Sequence, residues 1–128
     1  MSDKRYWLTP PDVYQSLDGE FHFDFDPCPY PRKSGYDGLT IEWGNSNYVN
    51  PPFRSKDGSP TGFARKAIAE ADKGKTSVLL IPVPSYVNLL LEAGAEVRSA
   101  GRVRWLEVET KEPYKSTSPI GCFILRGK

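Results

Sequence analysis

Strands alternating with helices along 128 residues predict one α/β domain, with a mixed, mainly parallel sheet flanked by short helices. Three observations carry this. The unbroken apolar run at residues 77–83 is the pattern of a strand buried on both faces. Before it, Phe63, Ala64, Ala67, Ile68 and Ala71 fall on one face of a helix that Gly74 can close. After it, residues 87–93 form a short helical stretch ending at Gly94. The length suits a single core rather than two.

The remaining elements follow in order. Thr9 is a natural N-cap, Pro10 fits the first helical position, and Val13, Tyr14 and Leu17 give that helix its apolar side. Phe21, Phe23 and Phe25 then alternate with His22, Asp24 and Asp26, which predicts a strand ended by Asp26-Pro27. Residues 28–43, rich in proline, glycine and charge, read as an ordered loop. Residues 45–49 make a second short strand, and 54–61 a polar loop. Val97 and residues 103–108 supply strand pieces, and 120–125 the last strand. No helical pattern lies between 104 and 125, which leaves room for a closing antiparallel pair.

Composition narrows the function classes. A formal charge of +1 creates no global attraction for nucleic acid, so any such contact must come from a local patch. Cys28 and Cys122 form neither a metal-binding spacing nor a secreted disulfide framework. Met1-Ser2-Asp3-Lys4-Arg5 has no apolar stretch behind its charges, so no signal peptide is expected. No apolar run approaches the roughly 20 residues of a membrane span. A cytoplasmic setting without membrane contact is the expectation.

The chemistry concentrates at Asn50-Pro51-Pro52-Phe53. Two consecutive prolines donate no backbone hydrogen bond, so this segment must leave the sheet. Asn50 then stands at the carboxyl end of a strand, where open α/β sheets bind ligands. An amide oxygen, the Pro51 carbonyl and a flat ring at Phe53 together suit a planar group carrying an amino substituent.

Three motifs occur in one order: Trp7-Leu8-Thr9-Pro10, then Asp26-Pro27-Cys28, then Asn50 to Phe53, with Asp37-Gly38-Leu39 between and Gly101-Arg102 after. The ordered set resembles the phage Dam-like DNA N6-adenine methyltransferases over nearly the whole chain. The resemblance implies a compact, truncated Rossmann-like methyltransferase fold without a separate target-recognition domain, S-adenosylmethionine as cofactor, and DNA as substrate. It implies that Asn50, Pro51, Pro52 and Phe53 form the catalytic segment: Asn50 and the Pro51 carbonyl accept from the target amine, and Phe53 stacks on a flipped base. It places Trp7, Thr9, Pro10, Asp26, Pro27, Cys28 and Asp37 around the cofactor, with Asp26 on its ammonium and Asp37 near its adenine.

Arg54 and Lys56 beside the motif, with Arg98, Arg102, Arg104, Lys111 and Lys115 further on, suit phosphate contacts to DNA, Arg102 and Arg104 foremost. The chain departs from the family where a glycine-rich cofactor turn is usual: prolines stand at 27, 29 and 31. Too few residues separate Cys28 from Asn50 for two further strand–helix units, which implies a shallow cofactor site, with weak affinity or completion by a second subunit of a homodimer. Cys28 lacks the Pro-Cys-Gln-type context of a cytosine-C5 nucleophile, and His22 is assigned no role. Cytosine N4, an RNA base or a glutamine amide presents the same delocalised amine. A degenerate, non-catalytic nucleic-acid binder is the reading from outside enzymes.

Overall fold

Among the described residues, four strands and three helices build a three-layer arrangement whose central sheet carries the order β2-β3-β6-β4. The computed structural model describes residues 7–28, 37–51, 61–82, 87–99, 106–107 and 120–128. The elements are β1 (Trp7–Leu8), α1 (Pro11–Phe21), β2 (Ser46–Val49), α2 (Thr61–Ala71), β3 (Thr76–Pro82), α3 (Val87–Glu92), β4 (Glu96–Ser99), β5 (Leu106–Glu107) and β6 (Ile120–Leu125). A separate two-stranded ladder joins β1 to β5, antiparallel, with Leu8 opposite Leu106.

The sheet is mixed, but parallel pairing is its minority. β2 and β3 run parallel, whereas β6 is antiparallel to both β3 and β4. Two antiparallel ladders on one strand mean that β4 points the same way as β3. The helix between β2 and β3 explains their shared direction, since a parallel pair needs a long crossover. The closing strand enters between two like-directed neighbours, and so converts a mainly parallel expectation into a mixed sheet.

Period-two alternation divides the core cleanly. Val78 and Leu80 of β3, Ile120, Cys122 and Ile124 of β6, and Tyr48 of β2 face α1, where Val13, Tyr14, Leu17 and Phe21 meet them. Leu79, Ile81, Phe123, Leu125 and Val49 point to the other face, against Phe63, Ala64, Ala67 and Ala71 of α2 and Leu90 of α3. The alanines of α2 let its backbone approach the sheet closely. Each fully buried aliphatic side chain here contributes about 1.5–3 kcal/mol relative to exposure, which makes β3 and β6 the stability centre.

Helix ends follow local chemistry. Gly74 (φ 89°) and Gly94 (φ 92°) take the left-handed backbone after α2 and α3. Each is flanked by the paired bonds of a Schellman stop: Gly74 N–H to the Ala71 carbonyl with Lys75 N–H to that of Glu70, and Gly94 N–H to Leu91 with Ala95 N–H to Leu90.

The amino-terminal third corrects two expectations. Pro10, not Thr9, occupies the N-cap of α1, and Pro11 its first turn; no side chain caps the helix. Pro10 instead offers its carbonyl to the N–H groups of Val13 and Tyr14. The run Phe21, Phe23, Phe25 is not a strand. Phe21 is the last residue of α1, because Val13, Leu17 and Phe21 continue one helical stripe. His22 (φ 52°) then turns left-handed, and Asp18 Oδ1 accepts the Phe23 N–H at 2.8 Å. Only Phe25 reaches the sheet, through an isolated parallel bridge to Asn47.

Two buried polar side chains fix the loop before β2. Asn47 Oδ1 accepts the Gly44 N–H at 2.8 Å, and its Nδ2 donates to the carbonyls of Gly44 and Thr76 at 3.0 Å. Glu70 of α2 is 0 % exposed and its Oε1 accepts the Trp43 N–H at 2.7 Å. Lys73 lies 3.2 Å from its other oxygen, with Lys66 at 3.7 Å and Lys75 at 3.8 Å from Oε1. Trp43 stacks on Phe63 and donates its indole N–H to the Gly38 carbonyl at 2.8 Å. Within the loop expected over residues 28–43, the described stretch 37–43 is therefore held by named bonds.

Candidate active site

Parallel strands end at one edge, and that edge gathers the residues in question. The bridge pairs Phe25 with Asn47; Asp24 N–H donates to the Ser46 carbonyl at 2.9 Å, and Tyr48 N–H to the Phe25 carbonyl at 3.0 Å. Residues 24–26 and β2 thus advance side by side, and Asp26 leaves the sheet beside the point where β2 runs out into Asn50 and buried Pro51. Carboxyl ends of neighbouring parallel segments are the usual ligand crevice of α/β sheets.

Thr9 arrives at the same place from the turn before α1. Asn50 Nδ2 donates to Thr9 Oγ1 at 3.4 Å, and Thr9 Oγ1 is also hydrogen-bonded to the Tyr48 hydroxyl. Freed from capping, the Thr9 hydroxyl joins two motifs that lie far apart in the chain. Tyr48 sits two residues before Asn50 and so projects from the same strand face. Its ring packs edge-on against Tyr14 at 5.1 Å and beside Phe23 at 5.4 Å.

Asp26 is half-buried, and its Oδ1 accepts the Cys28 N–H at 2.8 Å. Burial pushes the carboxyl up to about 6, against the smaller opposing effect of the Cys28 N–H. Burial likewise raises Tyr48 far above the ordinary phenol range, with its bond to Thr9 opposing and the Asp26 charge adding to the rise. Tyr14 is raised by burial first, then by Asp18 and Asp26. Both phenols therefore sense the Asp26 charge and stay protonated at neutral pH. A carboxylate kept short of solvent in this way fits a cationic group, because an ammonium beside it would restore its ionised form.

The loop from 37 packs against the Pro27 backbone. A Cβ built on Gly38 would overlap the Pro27 carbonyl, so the two backbones touch and only glycine allows it. This contact brings the Asp37 segment against Pro27-Cys28. Asp37 itself is exposed, and its Oδ1 accepts the Leu39 N–H at 2.9 Å, the geometry of a turn former. Cys28 and Cys122 are both buried, and burial lifts the Cys122 thiol to about 11.

Of the residues singled out in the sequence, Thr9, Pro10, Asp26, Pro27, Cys28, Asp37, Asn50 and Pro51 lie among the described residues, and Trp7 is placed by its backbone in β1. Thr9, Asp26 and Asn50 converge. Pro52, Phe53, Arg54, Lys56, Arg102 and Arg104 lie outside the described residues, as do Lys111 and Lys115. Arg98 is engaged by carboxylates. Its guanidinium forks onto both carboxylate oxygens of Glu20, at 2.7 and 2.8 Å, and its Nε donates to Glu96 at 2.9 Å. This ties α1 to β4 across the sheet's edge.

Tyr14 and Tyr48 are the site residues that motif reasoning passed over. The available signal for Tyr48 was its i, i+2 relation to Asn50; for Tyr14, its place on the apolar stripe of the helix that follows Thr9-Pro10. Among the described residues no group of three or more His, Cys, Asp or Glu side chains could hold a metal ion, and no helix is long and apolar enough to cross a membrane. Comparison with family models, with curated proteins and with solved structures returns no match.

Proposed function

We propose that the chain is an S-adenosylmethionine-dependent methyltransferase acting on the N6 amino group of adenine in DNA, built as a truncated Rossmann-like domain of the cytoplasm. The observation that carries this reading is the convergence of Thr9, Asp26 and Asn50, from three separate motifs, at the carboxyl edge of parallel neighbours, with Thr9 bonded to Asn50. A random set of turn residues has no reason to meet there.

In this reading each residue has a distinct task. The amino group of adenine is planar because its lone pair is delocalised into the ring. Asn50 Oδ1 and the Pro51 carbonyl accept its two hydrogens and favour a pyramidal nitrogen whose lone pair is directed outward. Phe53 stacks on the flipped base. When bound, S-adenosylmethionine supplies an electrophilic sulfonium methyl, and the half-buried Asp26 holds its ammonium. Positioning and preorganised acceptors provide most of the acceleration. Arg54, Lys56, Arg102 and Arg104 contact DNA phosphates, and a second copy of the chain completes the shallow cofactor side.

Nucleoside mass spectrometry of DNA from expressing cells tests the reading. N6-methyladenine should accumulate, and Asn50→Ala should abolish the gain. A folded, abundant protein that leaves the nucleosides unchanged refutes it; N4-methylcytosine in the same trace moves the substrate to cytosine. The prolines at 27, 29 and 31 favour one second reading, a relative that grips nucleic acid without turnover. Titration calorimetry separates the two, since that relative binds DNA yet gives no heat with S-adenosylmethionine.

A further inference from the structure

The Asn50 carboxamide is symmetric enough in shape to sit either way round, yet only one orientation presents an oxygen to an amine. Something must choose between them. Among the described contacts of its nitrogen is the Thr9 hydroxyl, which Asn50 Nδ2 reaches at 3.4 Å. That hydroxyl is in turn bonded to the Tyr48 phenol, which is 3 % exposed and held among Tyr14 and Phe23. From this chain we infer that Thr9 and Tyr48 are positioning residues that fix the Asn50 carboxamide with its nitrogen inward and Oδ1 toward the target amine; the catalytic consequence rests on the methyltransferase reading above.

The physical case has three parts. The Thr9 hydroxyl carries one proton; with that proton given to the Tyr48 oxygen, only lone pairs face Asn50, so Thr9 Oγ1 takes the amide N–H and a flipped amide would set oxygen against oxygen. Tyr48 lies in β2, at the rigid centre of the register with β3, opposite Val78. Thr9, by contrast, lies in the turn ahead of α1, so without the phenol its hydroxyl is free to rotate away. Finally, hydrogen bonds in a chain polarise one another, and an amide that donates through its nitrogen accepts more strongly at its oxygen. Thr9 thereby strengthens the acceptor as well as aiming it. This role differs from a cap, which Thr9 does not provide, and from cofactor contact.

Two readouts test the inference, the first of them separate from the reaction. The side-chain NH2 signals of Asn50, followed by ¹⁵N NMR in the full chain, report the bond to Thr9. Thr9→Val and Tyr48→Phe should each shift them and speed their solvent exchange, while the backbone amides of β2 and β3 stay in place; Thr9→Ser should restore them. In methyl transfer, Thr9→Val and Tyr48→Phe should lower kcat about tenfold with the KM for DNA unchanged, since a small misplacement is enough for that loss, and Thr9→Ser should recover the rate lost in Thr9→Val. Unmoved Asn50 signals in folded Thr9→Val and Tyr48→Phe proteins overturn the positioning inference whatever the activity. Shifted Asn50 signals in the two variants, with a wild type that methylates nothing, uphold the positioning and overturn the methyltransferase reading alone.

Discussion

Replacing Asp26 by asparagine should make the protein more stable at neutral pH, although Asp26 is the residue assigned to the cofactor. The carboxyl sits at about 6 in the fold against an ordinary 3.8, chiefly through burial. Because the folded value is the higher one, the native state keeps a proton between pH 3.8 and about 6 that the unfolded chain has lost. Stability therefore falls as pH rises through that window and levels off above it. At ~1.4 kcal/mol per pH unit, full ionisation costs about 3 kcal/mol. Relaxation and partial hydration reduce this, so a gain of about 1–3 kcal/mol is expected for Asp26→Asn above pH 7. The amide oxygen still accepts the Cys28 N–H, so the turn survives. Urea unfolding at a series of pH values measures the difference, which should shrink toward zero near pH 4. A variant no more stable than wild type at pH 7.5, or an advantage independent of pH, refutes the reasoning. Saturating S-adenosylmethionine should narrow the neutral-pH gap, since an ammonium at Asp26 relieves the strain only in wild type.

Two further substitutions probe the scaffold behind the site. Glu70→Ala removes the buried acceptor of the Trp43 N–H and leaves that donor unpaired, so about 1–3 kcal/mol should be lost in urea unfolding at pH 7. Burial opposes ionisation of Glu70, but the Trp43 N–H and the lysines outweigh it and hold the carboxyl below its ordinary 4.5. Its contribution is then present above pH 4.5 and lost as acid brings the pH through the folded value, so wild type and variant should converge in acid. Gly38→Ala forces the Pro27 carbonyl aside at a cost of about 1–3 kcal/mol. Because that shift displaces Cys28 N–H from Asp26, calorimetry should show weakened S-adenosylmethionine binding as well.

The parts of this fold legible in the sequence are those where one local rule suffices. β3 and β6 are buried on both faces, so their apolar runs announce them. In α2 the alanine spacing and Gly74 agree on both the face and the stop. Phe21, Phe23 and Phe25 misled because an alternating triplet is also what remains when a helical stripe ends and an extended segment begins. Asp18, whose side chain stops α1, leaves no signature separate from an ordinary helix acid. The insertion of β6 between β3 and β4 depends on pairing across distant residues, which no window of sequence contains. Glu70 reads as a surface residue in an i, i+3, i+4 pattern with Lys66 and Lys73, yet it is wholly buried. At the site, Thr9, Asp26 and Asn50 were visible as motif residues; their hydroxyl partner Tyr48 was not, because its role exists only once Thr9 is brought beside it.

The place of β6 also sets a clock. Ribosomes deliver β2, β3 and β4 well before residues 120–125, and β3 and β4 have no ladder to each other. Until Ile120–Leu125 emerges, the nascent chain holds two sheet fragments with open edges at β3 and β4, both suited to the wrong strand. Conditions that slow the last step, such as a stalled ribosome or a crowded inclusion-forming host, should harm yield more than they harm the finished protein.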